Sequence, residues 1–320
     1  MNTILRITLL TFLCHSVTAH AEDGHFPEHA VLEELWNDGE FTEGVAVRAD
    51  GQVFFSDITR DPEVQGRILQ FDPQTQTTRV YIADSQKSNG LFFDASGRLL
   101  ACCGANGGAM ALCIVTKQLQ IKPLVERFEG KRFNAPNDLV VHPDGSIYFS
   151  DPRYIGPEPI EMEHQSVYRY VPDTGKVQRV TTEIEKPNGV NVSPDGRTLY
   201  VAETNNGSTG QDPDGKPKQG RMTLNAFDIT DDGSLAKRRV LVDFKDQLGT
   251  DGMAIDGKGN IYAAVRSGIR FGIVVYSPQG KELAYLKTPE LPTNCCFGAG
   301  QQSSTLYVTA GGGLYRVQTR

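Results

Sequence analysis

The sequence predicts an all-β protein, a six-bladed β-propeller, on three observations. A small polar or acidic residue, usually followed by Gly, opens six apolar runs. An X-Gly turn follows five of these runs, and a second apolar run follows each turn. The six opening positions, 43, 89, 137, 188, 251 and 294, are 46, 48, 51, 63 and 43 residues apart. A period of about 40–50 residues with four short strands per unit is that of propeller blades.

The elements follow in order along the chain. Residues 1–21 read as a secretory signal: Arg6 precedes the apolar run Ile7–Leu13, and Ala19-His20-Ala21 fits a small-x-small cleavage site. The run is too short to span a bilayer, so an exported, periplasmic or secreted protein is expected after cleavage near Ala21. Residues 22–320 are then expected to form one domain. Its repeats open at Thr42-Glu43-Gly44, Ser88-Asn89-Gly90, Pro136-Asn137-Asp138, Pro187-Asn188-Gly189, Thr250-Asp251-Gly252 and Pro292-Thr293-Asn294. The turns are Asp50-Gly51, Ser96-Gly97, Asp144-Gly145, Asp195-Gly196 and Lys258-Gly259, which between apolar runs are hairpin signals. The sixth repeat has Gly300–Ser304 instead. Second runs such as Val53-Phe54-Phe55 and Ile147-Tyr148-Phe149 carry the β-branched and aromatic residues that strands favour. Outer strands are expected at 79–82, 123–125, 177–180, 239–242 and 282–285. The last repeat lacks one, and Val31–Leu35 at the other end supplies it. That pairing would close the ring and hide two sheet edges.

Composition narrows the function classes. The 320 residues are 39 % apolar and 22 % charged, with 33 Gly and 17 Pro. That is the balance of a globular chain, neither disordered nor polytopic in a membrane. A net charge of −7 excludes the basic footprint of a nucleic-acid binder. Beyond the signal, Cys102, Cys103, Cys113, Cys295 and Cys296 show no zinc spacing. An odd count leaves at least one thiol without an intramolecular partner. A hairpin bridge from Cys102 or Cys103 to Cys113 and a set of buried free thiols both remain open.

Innermost propeller strands line the central channel, so the opening residues recur around the axis at one height. They are Glu43, Asn89, Asn137, Asn188, Asp251 and Asn294, all oxygen donors, two of them carboxylates. Such a ring suits a hard divalent cation, calcium before magnesium because the ring is loose. Asn89 and Asn294 also suit the turn-capping role common for Asn at strand starts. About fourteen residues on, one hairpin later, come Asp57, Asp151 and Glu203. They are expected at the rim, either binding a polyhydroxylated substrate or capping loop backbone. The segments 152–165 and 204–219 leave the same rim and could act as lids or as plain surface loops.

Two stretches then carry a resemblance. Phe133-Asn134-Ala135-Pro136-Asn137-Asp138-Leu139-Val140-Val141 and Asp144-Gly145-Ser146-Ile147-Tyr148-Phe149-Ser150-Asp151-Pro152 resemble the senescence-marker-protein/gluconolactonase/luciferin-regenerating family, most of all its bacterial gluconolactonase branch. Pro187–Val190, Asp251–Ile255 and Leu291–Asn294 resemble it too. The resemblance implies a six-bladed propeller with one divalent cation in its channel, usually calcium, with magnesium, manganese or zinc as alternatives. It implies Glu43, Asn137, Asn188 and Asp251 as the metal ligands, and adds Asn134 to the substrate-contact candidates Asp57, Asp151 and Glu203. Mammalian members have Arg two residues before the first Asn ligand, where this chain has Ala135, so their substrate recognition does not transfer.

The activity so implied is hydrolysis of a sugar lactone, a small-molecule substrate. The metal would polarise the carbonyl and Asp251 would serve as general base. No Gly-x-Ser-x-Gly elbow offers a nucleophilic alternative. Two rivals stand beside this reading: a non-catalytic propeller binding a sugar or a protein, and another hydrolase or lyase chemistry, phosphotriesterase-like for example, on the same metal.

Overall fold

The computed structural model describes residues 24–211 and 217–320, so the expected signal at 1–21 lies outside the described residues. Six four-stranded antiparallel sheets stand around one axis, with almost no helix. The innermost strands are Thr42–Val47, Ser88–Phe93, Leu139–Val141, Pro187–Val192, Thr250–Ile255 and Pro292–Phe297. Each touches the innermost strand of the next blade, and the first touches the last.

Burial follows position in the blade. The second strand of the first blade, Val53–Asp57, is buried along its whole length, while its outer strand Thr77–Ile82 is largely exposed. The inner strands are covered on both faces because neighbouring blades pack on each side, which is why they read as uninterrupted apolar runs. Phe54, Ile68, Leu91 and Ala101 share one core between the first two blades. Val45, Phe55, Tyr307 and Leu314 share another between the sixth and the first. Each such side chain contributes about 1.5–3 kcal/mol of burial, so stability is distributed around the ring.

The expected outer strands are present, at Thr77–Ile82, Ile121–Val125, Lys176–Thr181, Leu235–Asp243 and Glu282–Lys287. Glu33–Trp36 completes the last blade by pairing antiparallel with Gly313–Gln318, Glu33 opposite Arg316. An Arg316–Glu33 ion pair at 2.8 Å reinforces it. The irregular sixth turn is a short 3-10 helix, Gly300–Gln302. A two-stranded ribbon, Arg127–Phe128 with Lys131–Arg132, stands outside the blade plan. All five described cysteines are free thiols, so the hairpin bridge between Cys102 or Cys103 and Cys113 is not formed. Among the described residues no helix is long and apolar enough to cross a membrane.

Candidate metal centre and active site

Five of the six opening motifs are breaks in strand register. The pairing of innermost to second strand shifts between Glu43 and Ala46, Ser88 and Leu91, Pro187 and Val190, Thr250 and Met253, and Pro292 and Asn294. A bulge re-aims a side chain that the regular pleat would send into a neighbouring sheet. In the third blade the strand begins only at Leu139, just after Asn137 and Asp138.

The glycine of the motif allows close approach between blades. Gly44 has φ +54°, and a Cβ there would lie 1.9 Å from the Asn89 carbonyl oxygen. At Gly189 a Cβ would lie 2.2 Å from the Asp251 carbonyl oxygen. Asp138 stands in the glycine's place in the third repeat, and its carboxylate accepts the Val190 N–H at 3.1 Å. It ties the Asn137 blade to the Asn188 blade. Burial raises its pKa to about 7.

These devices bring Glu43, Asn89, Asn137, Asn188 and Asp251 to the wall of one cavity of about 580 Å³. Asn294 is not on that wall; its side-chain oxygen accepts the Cys295 N–H at 2.8 Å. Glu43 is 4 % and Asp251 7 % exposed. Burial first, then the Asp251 carboxylate, holds the Glu43 carboxyl well above its ordinary range. Burial also raises Asp251, opposed by the Arg266 guanidinium and a hydrogen bond from Asn188. Arg266 Nη1 donates to Asp251 Oδ2 at 2.9 Å.

The donor set fits a hard divalent cation. Glu43, Asn137, Asn188 and Asp251 offer only oxygen, two of them from carboxylates whose charges repel in a buried place. Among the described residues no three His, Cys, Asp or Glu side chains are grouped as a metal site; Asn137 and Asn188 are the neutral oxygen donors on the same wall.

The four rim residues fall elsewhere. Asp57, Asn134, Asp151 and Glu203 do not line the cavity. Asp57 accepts the N–H groups of Glu40 and Phe41 at 2.9 and 3.2 Å and pairs with Arg67 at 2.9 Å. Asp151 accepts the N–H groups of Asn134 and Ala135 at 2.9 and 2.8 Å. Asn134 Nδ2 donates back to Asp151 and to the His164 carbonyl. Glu203 accepts from the Glu185 N–H, the Thr223 hydroxyl and Arg238. All four side chains hold loops in place. The residue following Asp57, Cys103 or Glu203 is the one on the wall: Ile58, Gly104 and Thr204, with Arg266 in the fifth blade. Successive strand residues point to opposite sides, so an offset one residue short selects the wrong face.

Arg266 holds the place in the fifth blade that Thr204 holds in the fourth, since Val265 pairs with Thr250 as Glu203 pairs with Pro187; the fifteen-residue step from Asp251 was there in the sequence to find it. Phe41 and Tyr154 also line the wall. The Arg266 guanidinium lies 5.6 Å from the Phe41 ring centre. Tyr154 belongs to the segment 152–165; its hydroxyl donates to the Thr204 carbonyl at 3.0 Å, and burial raises its pKa well above the ordinary value. Its carbonyl accepts from the Ser208 hydroxyl at 3.2 Å, so the two candidate lid segments touch. Residues 212–216 of the second lie outside the described residues.

Comparison with known proteins agrees with this architecture. A gluconolactonase of Zymomonas mobilis is 29 % identical over 73 % of this chain, which spans 63 % of that protein's length. A solved gluconolactonase structure from Xanthomonas campestris superposes with a TM-score of 0.76 at 31 % identity, covering 91 % of this chain and 90 % of that one. A calcium-binding regucalcin structure from Agrobacterium tumefaciens shares the fold, with a TM-score of 0.69 at 19 % identity, covering 92 % of this chain and 95 % of that one. Residues 41–312, which hold all six innermost strands, match the family described as the SMP-30/Gluconolactonase/LRE-like region, and the chain belongs to that family.

Proposed function

We propose that this protein is a lactonase, a divalent-cation-dependent hydrolase of sugar lactones. The observation that carries the reading is the convergence of Glu43, Asn137, Asn188 and Asp251 on one cavity wall. Gluconolactonase relatives that match most of the chain support the reaction class. The calcium-binding regucalcin of the same fold supports calcium as the cation.

In this reading the four residues would hold the cation, Asn137 and Asn188 contributing oxygen without further negative charge. A cation so held supplies a Lewis acid for the lactone carbonyl. Arg266, bonded to Asp251 Oδ2, orients the carboxylate. Asp251 then takes a proton from the water that adds to the carbonyl carbon. As the ring C–O bond breaks, the ring oxygen takes that proton back from Asp251 and leaves as a hydroxyl, so the Asp251 carboxylate is regenerated and the open-chain acid is the product. Phe41 and the Tyr154 ring narrow the water around the reacting ester. The expected export follows from the sequence of residues 1–21, and recovery of a chain shortened by that segment from the periplasm or medium tests it.

The test of function is a pH-indicator assay on a panel of aldonolactones, with and without chelator, alongside metal analysis of the purified protein. Hydrolysis that chelation abolishes and calcium restores is the expected result. Hydrolysis indifferent to thorough chelation removes the cation from the mechanism, and no turnover on the panel removes the lactonase reading.

A further inference from the structure

The cavity wall carries a charge pattern that a neutral sugar lactone does not use. Three cationic residues, Arg60, Lys87 and Arg266, share it with the carboxylates Glu43 and Asp251. Arg266 is paired with Asp251, and a cation among the four oxygen donors answers Glu43. Arg60 and Lys87 remain as a surplus, both supplied by the first two blades.

Their placement is built rather than incidental. Lys87 is 3 % exposed. Its ammonium donates to the carbonyls of Thr59 and Asp61 at 2.9 and 2.6 Å. An ammonium has three donors, so one is left over by these two bonds. Burial lowers the Lys87 pKa from its ordinary value, against the Asp61, Glu40 and Glu158 carboxylates that favour its charge; Glu40 faces Arg60 as well, and none of the three lines the cavity. Gln86 and Lys87 are consecutive non-glycine residues at φ +52° and +57°. Such backbone costs free energy and persists only where its surroundings impose it. The segment that Lys87 fastens carries Arg60, which is exposed at the mouth of the same cavity.

We propose that the natural substrate is an anionic lactone, one that carries a carboxylate or phosphate away from its ester and presents it to Arg60 and Lys87. The proposal rests on the lactonase reading and narrows it. A cation at the rim raises encounter with an anionic ligand and makes it salt-dependent. A buried ammonium with an unspent donor offers the same ligand a charge-assisted hydrogen bond.

The experiment compares three lactones of like ring size: a neutral aldonolactone, an aldarolactone with a free carboxylate, and a phosphorylated aldonolactone. At low ionic strength at least one anionic lactone should show a kcat/KM about tenfold above the neutral one. The difference should lie in KM and shrink as salt is added. The arm that responds identifies the anion. Arg60→Gln, a change at an exposed position, should lower the anionic-to-neutral ratio about fivefold. Lys87→Met should lower it too, with the melting curve checked because Lys87 also fastens a loop. Equal kcat/KM for all three lactones overturns the proposal, as does a ratio unmoved by both variants, and the lactonase reading survives either result. If no lactone turns over, calorimetry with the open-chain aldarate and aldonate decides the charge preference separately. Tighter aldarate binding that Arg60→Gln weakens supports it, and equal binding overturns it.

Discussion

Asp251 and Glu203 are both buried carboxylates on neighbouring blades, and their partners separate their roles. Asp251 meets Arg266 and Asn188 at the cavity wall, whereas Glu203 is enclosed by Thr223, Arg221 and Arg238. Asp251→Asn should lower kcat/KM for any hydrolysed lactone by about a hundredfold or more, with the melting temperature roughly kept. Glu203→Ala leaves Arg221 and Arg238 without their shared carboxylate and should cost about 3 kcal/mol in denaturant unfolding, with the kinetics of the folded fraction little changed. Asp151 carries a pH signature. Burial raises its pKa from 3.8 to about 7 against hydrogen bonds from Asn134 and Ala135. The folded chain therefore holds that proton more tightly than the unfolded one. Its stabilising contribution is full below about pH 4 and is lost as pH rises to 7. The melting-temperature difference between wild type and Asp151→Asn should shift in the mutant's favour from pH 5 to pH 7.5. A shift in the other direction would mean that the carboxylate is the favoured form. The channel residues were legible because each opens a repeat. The rim residues were not, because a bulge inserts one residue and reverses which strand position faces the cavity.

At the scale of elements, the motif glycines explain how six inner strands share so narrow an axis. Gly189→Ala places a methyl against the Asp251 carbonyl, a backbone atom that cannot swing aside. The expected result is a loss of about 1–3 kcal/mol in stability together with weakened calcium binding by calorimetry, since the strand that must move carries a proposed ligand. Ala at Gly145, a hairpin-turn position with open space and φ +84°, should lose stability through backbone strain but leave calcium binding intact. Strand positions were readable from apolar runs, turns and the repeat period. The Arg127–Arg132 ribbon was not, because two-residue strands leave no periodic trace.

For the whole molecule, the ring gathers buried like charges at its axis. Glu43, Asp138 and Asp251 are all raised by burial, and a bound divalent cation would relieve the repulsion between Glu43 and Asp251. Calcium at a hundredfold excess over its Kd should stabilise the fold by roughly 2.7 kcal/mol, read as a rise in melting temperature that Asp251→Ala abolishes. An unchanged melting temperature in calcium, with magnesium and manganese equally inert, would sink the metal-site assignment. The ring and its closure were legible from a blade short of one strand and an unclaimed strand at the far end of the sequence. The charge surplus at Arg60 and Lys87 was not, since neither residue belongs to the repeated motif.

The Glu33–Arg316 pairing has a temporal meaning as well as a geometric one. Its partners are 283 residues apart, so the first strand of the chain waits for almost the last before it can be used. During synthesis five blades can form in order, each from contiguous chain. The sixth keeps an open edge until residues 313–318 emerge. The circle is therefore closed late: a chain cut short before residues 313–318 leaves the Glu33–Trp36 edge without the strand it pairs with.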